Sequence, residues 1–189
     1  MTKVLCQLGK PRVAKPQTLQ EYGQLRDVMI QSPWVYLDQE EFIDLVANQG
    51  TPFYSCLFNG HDLLTEADGH QKNCWRQQTI VALDFDKCPV GPLTMSEHFT
   101  ARGYEPWFTY RTFSDSETNL HYSYRLVWRV EDDLNVSYDE VRQFIKGFAE
   151  KHANGFADKH SMDASRLWQG STKGVVYKGK NPVTLCLRG

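Results

Sequence analysis

The sequence predicts an α+β fold with helices flanking mixed sheets. Three observations carry that prediction. Four short segments have the spacing of helix capping boxes, each opening a stretch with helical apolar spacing. Tyr122–Val130 alternates strictly, with Tyr122, Tyr124, Leu126, Trp128 and Val130 on one face and Ser123, Arg125, Val127 and Arg129 on the other. Ile80–Phe85 is a short apolar run rich in β-branched residues, read as a buried strand that carries Asp84 and ends at Asp86.

In chain order, residues 1–17 hold Pro11 and Pro16 and read as an arm or a short leading strand. Thr18 with Glu21 opens a helix expected to reach about Gln31, before Pro33. Asp38 with Glu41 opens a second, with Phe42, Leu45 and Val46 on one face and a stop at Gly50. Pro52 to Phe58 reads as a strand, and Asn59 to Gln78 as a long polar loop whose Lys72, Trp75 and Arg76 could clamp a single strand. The strand Ile80–Asp86 follows. Thr94 with Glu97 caps a short helix ending at Arg102 and Gly103. Pro106 to Thr112 is a strand, paired as a hairpin with Tyr122–Val130 across the polar turn Ser114–Asn119. Ser137 with Glu140 caps a helix whose Val141, Phe144, Ile145 and Phe148 form a core stripe. Short strands and tight turns complete the chain. It stops soon after the apolar run Val183–Leu187, so it is expected to be a piece of a longer protein.

With 189 residues, 41% hydrophobic and 13% aromatic, the chain can bury a core. No apolar stretch is long enough for a membrane helix, and Met1–Lys10 lacks the apolar segment of a secretory signal. Five scattered cysteines without Cys-x-x-Cys spacing argue for reduced thiols in a cytoplasm and against structural zinc. The net charge of −2 carries no global nucleic-acid signal, yet Arg166 to Gly189 holds Arg166, Lys173, Lys178, Lys180 and Arg188 with no acid.

Alternation turns Asp84 and Asp86 to one face, about 6–7 Å apart along the strand. Two such carboxylates repel unless a cation intervenes, and divalent ions suit oxygen ligands. A solvated strand end is the equal alternative on that pair alone. Ser123 and Arg125 also share a face, where a hydroxyl and a guanidinium fork suit phosphate oxygens. Asp163 lies three residues before Arg166; a structural ion pair is the commoner meaning of that spacing.

In that order the motifs resemble the archaeo-eukaryotic primase superfamily, within it the primase-polymerase domains of phage, plasmid and mobile-element replication proteins. The matching text is Ile80–Asp86, then Thr109–Ser114 with Tyr124–Trp128, then Asp158 with Met162–Trp168, within about residues 50 to 180. The resemblance implies an N-terminal α/β lobe packed on an RRM-like lobe with the active site in the cleft. It implies template-directed nucleotidyl transfer, as a DNA primase or polymerase, with two Mg²⁺ or Mn²⁺ ions on Asp84, Asp86 and a third acid. Asp163 is ranked first for that acid and Asp158 competes. The family's second motif carries His where this chain has Arg125; Arg125 is taken as the substitute triphosphate ligand beside Ser123, with His121 the runner-up and Arg166 and Lys173 as helpers. The implied partners are a single-stranded DNA template, nucleoside triphosphates and a helicase, in a bacterial, plasmid or phage cytoplasm.

On this reading, replacing Asp84 and Asp86 by Ala abolishes incorporation and leaves the metal-free thermal melt nearly unchanged. Two alternatives stand. One is a non-catalytic DNA- or origin-binding module. The other is a haloacid-dehalogenase-like phosphotransferase with Asp84 as nucleophile. The second is disfavoured by Cys88 at a position where that family carries Thr or Val, and by a pair lying about 80 residues into the chain; Glu131, Asp132 and Asp133 would pose as its later metal site.

Overall fold

The computed structural model describes residues 3–58, 75–116, 120–131 and 136–188. Its secondary structure comprises β1 (Lys3–Cys6), α1 (Leu19–Ile30), β2 (Val35–Asp38), α2 (Gln39–Ala47), β3 (Phe53–Tyr54), β4 (Cys56–Phe58), β5 (Trp75–Gln78), β6 (Ile80–Cys88), α3 (Pro92–Ala101), β7 (Phe108–Arg111), β8 (Tyr122–Val130), α4 (Tyr138–His152), a 3₁₀ turn (Lys159–Met162), β9 (Leu167–Trp168), β10 (Val175–Lys178) and β11 (Thr184–Leu185). The fold is α+β, as the pattern of elements predicts.

The central sheet runs β10-β7-β8-β6, antiparallel throughout, with β11 joining the end of β8 in parallel. β7 and β8 form the expected hairpin, and β6 lies antiparallel along the other edge of β8, which sets Asp84 opposite Arg125. The two faces of the sheet bury different cores. Val81, Leu83, Phe85, Tyr124, Leu126 and Trp128 pack against Met95 and Phe99 of α3 and Val141, Ile145 and Phe148 of α4. Ile80, Ala82, Val127, Phe108 and Tyr110 pack against Phe42, Ile43 and Val46 of α2 and against Trp168. Burying alternate residues on opposite sides is what pins the strand register, because a one-residue slip would exchange the two sets.

Local chemistry accounts for most boundaries. Thr18 accepts from the Glu21 N–H to start α1. Ser137 and Glu140 complete a reciprocal capping box on α4. Asp38 precedes α2 but makes no side-chain cap. α3 starts at Pro92, two residues before the expected cap, because proline suits a first helical turn. The strand expected over Pro52–Phe58 is broken at Ser55 into β3 and β4, and the two halves pair with different partners, β9 and β5. β5 occupies the end of the segment read as loop; Lys72 lies outside the described residues, as do Asp132 and Asp133. Among the described residues, no helix is long and apolar enough to cross a membrane.

Candidate functional site

The site begins with a strand that cannot continue regularly. β6 pairs in register with β8 from Ile80 to Phe85, then bulges before Cys88, and Lys87 takes a left-handed backbone with φ of 50°. The irregular stretch between Phe85 and Cys88 contains Asp86. Ser123 of β8 reaches across it, donating its hydroxyl to Asp86 Oδ1 at 2.7 Å and accepting the Lys87 N–H at 3.3 Å. The Ser123 N–H donates to Asp115 Oδ1 at 2.8 Å, and Asp115 is buried. Arg111 Nε lies 3.6 Å from Asp115 Oδ2, and the Lys173 ammonium donates to the Asp115 carbonyl.

Two residues along the same face, Asp84 Oδ1 accepts from both Nε and one terminal nitrogen of Arg125, at 3.1 and 2.8 Å. The other terminal nitrogen of Arg125 donates to the Tyr110 hydroxyl at 2.6 Å and to the Gln169 carbonyl at 2.7 Å. The guanidinium also lies 4.4 Å from the centre of the Trp168 ring. Arg125 is 6% exposed and the Asp84 side chain 20% exposed. Burial alone would make Arg125 easier to deprotonate, but Asp84 and Tyr110 more than offset it and raise its pKa above the ordinary value. Burial pushes the Tyr110 phenol up to about 12, with Arg125 pulling the other way.

The structure therefore joins Asp84 to Arg125 and Asp86 to Ser123, and brings Lys173 alongside through Asp115. Every nitrogen of the Arg125 head is engaged inside the protein, two of them on Asp84. His121 is exposed just before β8. Of the two competing acids, Asp158 is the one against β6, its N–H donating to the Asp84 carbonyl at 2.8 Å; its own carboxylate accepts the His160 N–H.

Asp163 Oδ1 accepts from the Tyr138 hydroxyl at 2.7 Å and from the N–H and hydroxyl of Ser165. Burial works to raise the Asp163 pKa, but those hydrogen bonds and the charge of Arg166 outweigh it and hold the carboxyl below the ordinary range. Among the described residues, no three His, Cys, Asp or Glu side chains gather as a metal-binding group. The pair alone offers two hard oxygen donors on one face, with Arg125 already supplying a positive charge; that set fits one divalent cation better than two.

Residue-type patterns did not reveal Asp115, Tyr110 or Gln169. Counting the hairpin register back from Arg125 would have reached Tyr110, since the two are directly opposed. Nothing local marks Gln169, which contributes a backbone carbonyl. A cluster of buried polar atoms without partners among the described residues lies in this stretch: Arg166 Nε, Trp168 Nε1, and both side-chain polar atoms of Gln169.

Fold and site together define an α+β protein with a carboxylate pair on one face of an antiparallel sheet. No family model matches the chain, and no curated protein matches it. Among solved structures it is similar to the archaeo-eukaryotic primase domain of the primase-polymerase from cyanophage S-2L, with 11% identity and a TM-score of 0.47, over 96% of this chain and 84% of that one.

Proposed function

We propose that this chain catalyses nucleotidyl transfer from nucleoside triphosphates, directed by a single-stranded DNA template. The observation that carries the reading is the pair Asp84 and Asp86, side by side on one strand face, each held through Oδ1 by a fixed donor. A carboxylate fixed by one oxygen can coordinate through its other oxygen without reorganising, which is the preorganisation metal-assisted chemistry needs. Asp84 and Asp86 would hold Mg²⁺ or Mn²⁺, with Asp163 as the third acid and Asp158, whose N–H reaches the Asp84 carbonyl, as its competitor. Bound there, the ion would favour loss of the proton from an attacking hydroxyl and neutralise the departing pyrophosphate.

The protein's own groups do the positioning. Ser123 aims Asp86 and braces the bulge at Lys87. Arg125 orients Asp84. Lys173, beside Asp115, is the cation best placed to meet phosphate oxygens from this face; Arg166 and His121 are further candidates.

The test is incubation with a single-stranded template, labelled nucleotides and Mn²⁺ or Mg²⁺, with and without a primer. Incorporation by the parent chain and its loss by more than a hundredfold in Asp86→Asn is the expected result. Synthesis retained in that variant, or absent from the parent under every metal and primer condition, would sink the reading.

The Arg125–Asp84 pair supports a second reading, a template-binding module in which the guanidinium stands where a cation would sit. Calorimetry with Mn²⁺, with and without nucleotide, separates the two: no heat of binding favours the module. The phosphotransferase reading gains nothing from the geometry, because a carboxylate forked by a buried guanidinium is a poor nucleophile.

A further inference from the structure

A second concave site lies away from the carboxylate pair. It is a pocket of about 830 Å³ lined by one face of α4 and by the segment around the 3₁₀ turn. Arg142 and Lys146, one turn apart on α4, face Lys159, His160 and Arg166. Two carboxylates share the lining. Asp163 has Oδ1 saturated by Tyr138 and Ser165, and Glu150 lies 3.9 Å from Lys146. Four permanent cations against two acids leave about two net positive charges here, on a chain whose net charge is −2. The pocket also has an aromatic residue in its lining, Tyr138. Arg166 closes the cationic lining from the far side of the 3₁₀ turn, after Asp163.

We infer that this pocket binds the phosphate backbone of a single-stranded nucleic acid, with Arg142, Lys146, Lys159 and Arg166 as phosphate contacts and Tyr138 as a stacking surface. Cations beside an aromatic ring suit a strand whose bases are unstacked, and a concavity of this size admits one or two nucleotides rather than a duplex. The segment that begins at Asp158 connects the pocket to β6, because the Asp158 N–H bonds to the Asp84 carbonyl. A strand leaving the pocket along that segment would pass the edge of β6. The choice of a polynucleotide over other polyanions rests on the proposed function; the existence of an anion-binding pocket does not.

The test is fluorescence anisotropy with a labelled oligothymidylate in EDTA, so that metal chemistry plays no part. The double variant Arg142→Glu/Lys159→Glu is expected to weaken binding at least tenfold. It should also flatten the dependence of log K on log salt by about 1.4, at about 0.7 per phosphate contact on a single strand. Lys151→Glu, an exposed change on α4 outside the pocket, controls for general charge. Unchanged affinity and salt slope in the double variant, or an equal loss in Lys151→Glu, would overturn the assignment. So would displacement of the oligonucleotide by a nucleoside triphosphate at equally low concentration, which would mark a single-nucleotide subsite. Asp86→Asn is expected to bind the oligonucleotide like the parent while losing synthesis, so failure of the pocket and failure of the catalytic reading are separately visible.

Discussion

Arg125 decides how the carboxylate pair should respond to mutation. Its head is buried among Asp84, Tyr110, Gln169 and Trp168, and among the described residues Asp84 is its carboxylate partner. Asp84→Ala therefore strands a buried positive charge, which costs about 3 kcal/mol, the low end for such pairs because Asp84 keeps a fifth of its side chain in water. Asp86 is exposed and loses only the Ser123 hydrogen bond, so Asp86→Ala should cost under about 1 kcal/mol. Urea denaturation of the two variants checks the asymmetry; equal costs would mean that Arg125 is rehoused. Asp163 gives a pH signature. Its folded pKa lies below 3.8, so the unfolded chain takes up the proton first as pH falls. The stabilisation is present above that ordinary value and is lost on descending through the folded one, so Asp163→Asn should show a shallower loss of stability below about pH 4. At this scale the alternating pattern of two strands was enough to place Asp84, Asp86, Ser123 and Arg125 on shared faces. It could not reveal that the two strands are neighbours in a register opposing Asp84 to Arg125, because register depends on both cores at once.

The elements that position the site are held by close backbone approaches as much as by side chains. The turn after β9 presents the Gln169 carbonyl to Arg125 and to the Tyr110 hydroxyl. It is followed by Gly170, where a Cβ would lie 2.4 Å from the Thr51 carbonyl oxygen and 2.7 Å from the Thr51 nitrogen. Those are backbone atoms that cannot swing aside. Gly170→Ala should destabilise the fold by about 2–3 kcal/mol, a typical overpacking cost, and displace the carbonyl that anchors Arg125. Thermal denaturation with a measurement of activity reads both effects; a melt within a degree of the parent would show that the turn yields freely. Gly170 was legible only as a turn residue, since its partner Thr51 is more than a hundred positions away. Helices with completed side-chain caps were better marked, as at Ser137 and Thr18, because a cap is satisfied within four residues. β5 was misread as loop because Trp75–Gln78 has no alternation of its own and is a strand only through its pairing with β4.

Across the whole molecule, the sheet separates two kinds of chemistry. Asp84 and Asp86 extend the row of Ile80 and Ala82 toward the α2 side, whereas the cationic pocket is built on α4, whose apolar stripe packs the opposite face. The segment from Asp158 to Trp168 bridges them: it meets β6 at its start, lines the pocket with Asp163 and Arg166, and ends by placing Trp168 beside Arg125. Neither the sign nor the strength of this linkage can be read from local sequence, because it follows from one segment crossing a sheet edge. It does have a thermodynamic consequence. A cation bound by Asp84 and Asp86 in the folded chain alone stabilises it by mass action, by about 1.4 kcal/mol at ten times its Kd, or about 3–6 °C in Tm for a chain of this size. Mn²⁺ should therefore raise the Tm of the parent in a saturable way. Asp86→Asn should abolish the rise, whereas Arg142→Glu/Lys159→Glu should leave it intact, because the pocket binds anions. A Tm rise that survives in Asp86→Asn would locate the cation elsewhere, and no rise in the parent at any Mn²⁺ concentration would leave Arg125 as the only cation the pair accepts.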